Sequence, residues 1–179
     1  MRNSEENNGN YLKFIAMIST SVVAMFFLMY LHSYRLIDHA WFSETRMYMA
    51  FIMGGAMLII MLSFMLQTYK SSKMNIALFS AGALILLGSI WLVRSQATVD
   101  GVDYMEGMIP HHSIAILTSE RAKIVDPRVS ELADEIIKAQ RREIKEMEWL
   151  IDDIRENGFA TTQAEAEARP VPDFMGTPE

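Results

Sequence analysis

Three stretches of this 179-residue chain carry no charged residue: FIAMISTSVVAMFFLMYL (14–31), MYMAFIMGGAMLIIMLSFML (47–66) and MNIALFSAGALILLGSIWLV (74–93). Each is close to the roughly 20 residues with which a helix crosses a hydrocarbon layer about 30 Å thick. Nothing but a helix satisfies its own backbone polar groups within a single segment there. The first run is longer than the apolar core of a signal peptide and lacks a small-residue cleavage site, so it is expected to stay as a span. Residues 1–94 are therefore expected to form a membrane domain of three spans. Charge concentrates after residue 94, and the net formal charge is −6, which disfavours nucleic acid as a partner because phosphate binding needs a basic face.

The loops carry an orientation signal. Arg2, Lys13, Lys70 and Lys73 lie on one side of the expected spans, Arg35, Arg46 and Arg94 on the other. The excess of positive charge places the N-terminus in the cytoplasm of a multi-pass inner (plasma) membrane protein. The domain that follows the third span is then periplasmic or extracellular, and its surroundings include membrane lipid. Met49, Met53, Met57, Met61 and Met65 recur every four residues in the second span. They could form a thioether ladder, but no histidine or charged residue accompanies them, so they are expected to pack as leucines would. His32 and His39 flank Asp38 in the first loop. They are expected to be solvated.

From Asp100 the periodicity is helical. Asp100 or Asp103 suits an N-cap. Met105, Met108, His112, Ala115, Ser119 and Ala122 then recur at alternating spacings of three and four, the pattern of a seam facing another helix. The VDPR segment breaks the run, with Asp126 as a cap and Pro127 at a first helical position. A second helix follows, with the seam Ala133, Ile137, Gln140, Ile144, Met147, Ile151 and Ile154, ending at Gly158. Folded back near residue 126, the two seams mirror each other: Ala115 faces Ile137, His112 faces Gln140, Met108 faces Ile144 and Met105 faces Met147. The expected fold is all-α, with three transmembrane helices and a long antiparallel helical hairpin over 95–158. Ile109, Ile116, Leu132, Ile136 and Leu150 flank the seam and would stay partly exposed on a lone hairpin. A homodimer forming a four-helix bundle is expected to cover them, with docking on the chain's own spans or on another protein as the competing arrangement. Residues 159–179 have three prolines and no lasting period, which predicts a flexible tail.

The segment YMEGMIPHHSIAI (104–116) carries the chemistry. Pro110 costs about 3 kcal/mol inside a helix, a cost that makes sense if the kink aims His111 and His112. The chain has no cysteine, so thiolate metal sites and cysteine nucleophiles are excluded. Imidazole from His111 and His112 with thioether from Met105, Met108 and Met147 makes a soft donor set that favours Cu(I). Zinc would need Glu106 or Asp103 in addition, and calcium or magnesium would need oxygen donors. No glutamate stands three residues before either histidine, as a di-iron bundle requires. No nucleophile–base arrangement is readable either, so no enzyme is expected. The alternative is a structural or interaction module in which the hairpin dimerises and His112–Gln140 is a buried polar pair.

YMEGMIPHHSIAI followed by QRREIKEMEWL (140–150) resembles the signature of a bacterial domain-of-unknown-function family that includes the periplasmic copper-resistance protein CopM. The likeness covers roughly residues 100 to 155. It implies a ferritin-like helical fold of which this hairpin is half, and copper as the bound ion. It also implies Met108, His111, His112 and Met147 as ligands, Met105 as a further candidate, and Gln140 and Glu143 behind them. One departure is Thr118, where many members carry another methionine; it implies fewer copper ions per domain. The function so implied is a membrane-anchored protein that sequesters or hands on Cu(I) outside the cytoplasm.

Overall fold

The computed structural model of the chain describes residues 2–31, 33–35 and 38–177, with side chains from residue 10 onward. His32 lies outside the described residues. Among the described residues six helices follow one another: α1 (Arg2–Leu28), α2 (Glu44–Phe64), α3 (Ser72–Ser95), α4 (Gly101–Arg121), α5 (Pro127–Asn157) and α6 (Gln163–Ala168). The fold is all-α, and three helical segments, Asn10–Leu28, Glu44–Phe64 and Ser72–Ser95, are long and apolar enough to cross a membrane. Each end lies within four residues of the charge-free runs. The chain divides into two compact units, Met1–Met29 with Glu44–Thr98, and Tyr30–Ser43 with Val99–Glu179.

In the first unit, paired glycines let the backbones close in. A Cβ on Gly55 would stand 2.9 Å from the Gly82 carbonyl oxygen of α3, and one on Gly54 would meet Val22 of α1 at 2.5 Å. Adjacent small residues on α2 thus serve two different neighbours, the packing mode that membrane helices use where burial of apolar surface gives no drive. Polar ties hold the ends. The Tyr11 hydroxyl donates to Asn75 Oδ1 at 2.7 Å and accepts from the Ser71 N–H at 3.1 Å. The buried Arg46 donates to the Met29 carbonyl at 2.8 Å, just past the C-terminus of α1, where a cation is favoured. Met57, Met61 and Met65 pack against the Tyr11, Phe14, Leu58 and Leu62 cluster, while Met49 and Met53 are exposed. The methionine row therefore turns gradually from helix packing to the apolar surface.

In the second unit, α4 and α5 form the antiparallel hairpin. Asp100 caps α4, accepting from the Val102 and Asp103 N–H groups, and Asp103 accepts in return from the Asp100 N–H to close a capping box. Asp126 caps α5 with Pro127 in its first turn, and Gly158 ends it at φ 79°. The core joins Met105, Ile109 and Ile116 of α4 to Ile144, Met147 and Ile151 of α5.

The chief departure from the sequence expectation is a third layer. Residues Tyr30–Ser43 belong to this unit, and they cover α4. The Tyr34 N–H donates to Ser113 Oγ at 2.7 Å, and His39 Nδ1 lies 2.8 Å from the same oxygen. Trp41 packs on the hairpin core, and the Arg155 guanidinium sits 5.4 Å above its ring. Ile109 and Ile116 are consequently 0% and 1% exposed instead of half-exposed, with no second chain needed to bury them. Residues 159–177 also hold more structure than their composition suggested. Thr162 and Glu165 form a capping box for α6, Arg169 pairs with Asp153 at 2.6 Å, and Lys145 donates to the Met175 and Thr177 carbonyls.

Candidate metal centre

Met108 and His112 are one turn apart on α4 and so share a face. Met108 is partly buried against the hairpin core, and Met105 and Met147 lie within that core at 7% and 8% exposure. Pro110 is buried and α4 continues through it, so the helix absorbs the missing hydrogen bond without ending.

His112 is fixed from across the hairpin. Its Nε2 stands 3.1 Å from Glu143 Oε2, while its Nδ1 is buried with no hydrogen-bond partner among the described residues. The carboxylate holds the ring hydrogen on Nε2, which leaves a lone pair on Nδ1. A carboxylate behind one ring nitrogen is the common support for a histidine whose other nitrogen ligates a metal. Burial pushes the His112 pKa below the usual imidazole value. Glu143 opposes that shift, His111 adds to it, and the Met108 backbone opposes it more weakly. The net effect keeps the ring neutral and able to ligate.

Gln140 is not the partner of His112, contrary to the seam's expectation. Its Oε1 is buried and likewise lacks a hydrogen-bond partner among the described residues. The reason is geometric, since helical side chains lean toward their own N-terminus. Across an antiparallel pair, each therefore meets a residue further along than the one strictly opposite. The seam sets positions 146, 140 and 132 opposite Glu106, His112 and Glu120; the observed partners are Arg155, Glu143 and Arg141, three to nine positions later.

His111 is exposed, its ring centroid 6.4 Å from that of His112 with the planes at 62°. An ion about 2 Å from one nitrogen of each ring, with roughly 1 Å more to each centroid, would fit that spacing only near linearity. A bent site requires His111 to turn, which its exposure permits. The Thr118 hydroxyl donates back to the Ile114 and Ala115 carbonyls and brings no soft sulfur to the face. Among the described residues no three histidine or acidic side chains converge, so a closed zinc or calcium cage is not formed. The soft donors on this face are the Nδ1 of His112, unbonded among the described residues, and the Met108 thioether one turn away.

His39 is the residue that sequence reasoning left aside. It is 6% exposed and bonded to Ser113, the residue directly after His112. Its signal lay in the apolar run around it, Ala40-Trp41-Phe42, which is unusual for a solvated loop.

No solved structure matches the chain. Residues 101–178 match the domain of unknown function DUF305. An uncharacterized protein of Acanthamoeba polyphaga mimivirus is 32% identical over 147 residues, covering 77% of this chain and 93% of the viral one. That share exceeds what residues 101–178 make up, so the likeness runs into the residues ahead of them. The chain belongs to the same family as this viral protein, and its C-terminal region is a DUF305 domain.

Proposed function

We propose that the protein is a membrane-anchored copper-binding protein that sequesters or hands on Cu(I) outside the cytoplasm, and that it is not an enzyme. The observation that carries this reading is the buried Nδ1 of His112, without a partner among the described residues, oriented by Glu143 and one helical turn from Met108. An unpaired buried polar atom costs about 1–3 kcal/mol. A ligated ion would remove that cost. Thioether and imidazole without thiolate or carboxylate donors select a soft monovalent ion over zinc, calcium or magnesium. His112 and Met108 would hold the ion, with Met147 reaching from α5 and His111 swinging in from the surface. The positive charge of the 67–73 loop supports a topology with that loop and the N-terminus in the cytoplasm and the DUF305 domain on the other side.

The test uses the full chain in mild detergent, because Trp41 packs on the hairpin core and Tyr34 and His39 bond Ser113. Titration with Cu(I) against a competing chelator is expected to give saturable binding, lost in a His111→Ala/His112→Ala variant that retains its helix content. Equal binding by the two proteins would overturn the assignment.

A further inference from the structure

Pro110 is the weak point of α4. It offers no N–H, so the Glu106 carbonyl loses its helical donor directly ahead of His111 and His112. The 30–43 segment meets α4 on both sides of this interruption. Before it, Ser43 packs so closely on Gly107 that a Cβ there would stand 3.2 Å from Ser43 Oγ. After it, Ser113 Oγ accepts from the Tyr34 N–H at 2.7 Å and bonds His39 Nδ1 at 2.8 Å. Positions 107, 110 and 113 form one ridge, each step of three rising about 4.5 Å and falling back about 60° around the axis. The buried Pro110 therefore lies midway between the two anchors, along the helix and around it. Met108 and His112 project off this ridge, each about 100° from its neighbouring anchor. The segment is also closed on itself, its last residue bonding its first through the Ser43 N–H and the Tyr30 hydroxyl at 3.2 Å. Trp41 packs on the same core cluster as Met108, and the Arg155 guanidinium above its ring pairs with Glu106 at 2.5 Å.

We infer that the 30–43 segment is the positioning element of the metal centre, a splint on the proline-interrupted turn that holds His112 in place relative to Met108 and Glu143. The inference rests on the copper reading of the site and adds what sets its affinity. Met108 lies ahead of Pro110 and His112 beyond it, so a bend at the interruption moves one donor against the other. His112 Nε2 stands 3.1 Å from Glu143 Oε2, and a shift of about 0.5 Å carries that pair out of hydrogen-bond range. Ligands need such support, because the groups behind them hold both orientation and affinity. Ser43, His39 and the Tyr34 amide supply it without touching the ion. These residues lie outside 101–178, so the match to DUF305 does not include them. The metal centre of this chain thus depends on a segment ahead of the family domain.

The test reads two quantities on the full chain in detergent. His39→Leu removes one anchor, and Gly107→Leu, which favours the helix, drives Ser43 off the other. Each is expected to weaken Cu(I) binding at least about tenfold in competition with a chelator, with helix content retained. In the metal-free protein both variants should also speed amide exchange at His111 and His112. His39→Asn keeps a polar atom for Ser113 and should restore both readouts. Unchanged affinity where exchange rises would make the segment core packing alone and overturn the inference, as would unchanged exchange in both leucine variants. A wild type that does not bind Cu(I) would overturn the copper reading instead, and the exchange rates by themselves would then decide whether the segment splints the turn.

Discussion

Ser113→Ala tests the contact that distinguishes this hairpin from an unsupported one. The Ser113 side chain is fully buried and serves two groups of the 30–43 segment at once, the Tyr34 N–H at 2.7 Å and His39 Nδ1 at 2.8 Å. Alanine fills nearly the same volume, so the cost comes from the two groups left behind and not from a cavity. At about 1 kcal/mol for the part-buried Tyr34 N–H and about 1–3 kcal/mol for the buried His39 nitrogen, the expected loss is about 2–4 kcal/mol. For a unit of this size each kcal/mol moves the unfolding midpoint by about 4–8 °C, so the midpoint should fall by at least about 8 °C. Circular dichroism of the full chain in detergent measures the midpoint. Hydrogen exchange at the Tyr34 amide measures the contact itself, and its protection should collapse in the variant. A midpoint within about 1 °C of wild type, with Tyr34 equally protected, would refute the view that these residues complete the core.

Glu143→Gln removes the one influence of a charged side chain that raises the His112 pKa, so NMR titration should find that pKa lower still than in wild type, where burial already sets it below the ordinary value of about 6.5. Because the folded value is depressed, the stability His112 contributes is present above about pH 6.5 and is lost as pH falls through the folded value; a rise in its pKa in the variant would contradict the assigned cause. Met108→Leu and Met147→Leu conserve volume, so each should cost less than about 1.5 kcal/mol in stability while weakening Cu(I) binding in a competition titration; unchanged affinity would make both residues core alone. Gly55→Leu forces a side chain against the Gly82 carbonyl, which a Cβ alone would approach to 2.9 Å. It should separate α2 from α3, read as lost proximity between spin labels on the two helices, and retained proximity would show that the glycine is not what sets their spacing.

The spans and the hairpin were legible because their signals are local. Charge-free runs of membrane length, Asp-Pro and aspartate caps, and a three–four spacing each act within a few turns. The seam of α5 survives almost residue for residue, with Ala133, Ile144, Met147 and Ile151 all buried. On α4 the most buried positions are instead Ile109, Ser113 and Ile116, roughly one residue round from the expected seam. The stripe moved because α4 has two neighbours, and its deepest residues lie between them. The second neighbour is bonded from 74 and 79 residues away, through one serine. No periodicity marks such a contact. The available hints were a second apolar stripe at 109, 113 and 116, and a tryptophan and phenylalanine in a loop otherwise expected to be wet.

The same geometry weighs the two readings of the histidine pair. A histidine kept only to fix the packing of a core would spend both ring nitrogens on protein partners, and the seam offered Gln140 for the purpose. The fold does not make that pair. Glu143 takes Nε2, Nδ1 is left buried and unbonded, and Gln140 Oε1 is unbonded beside the same interface. Two unpaired acceptors in a well-packed hairpin are a poor way to specify register, since each destabilises the state it should select. The proposed copper site would use both features: the Nδ1 lone pair with the Glu143 carboxylate behind the ring, and the Met105 and Met108 thioethers on the neighbouring turns of α4. His111, exposed on the same helix, has the freedom to turn that the last ligand of the proposed site would need.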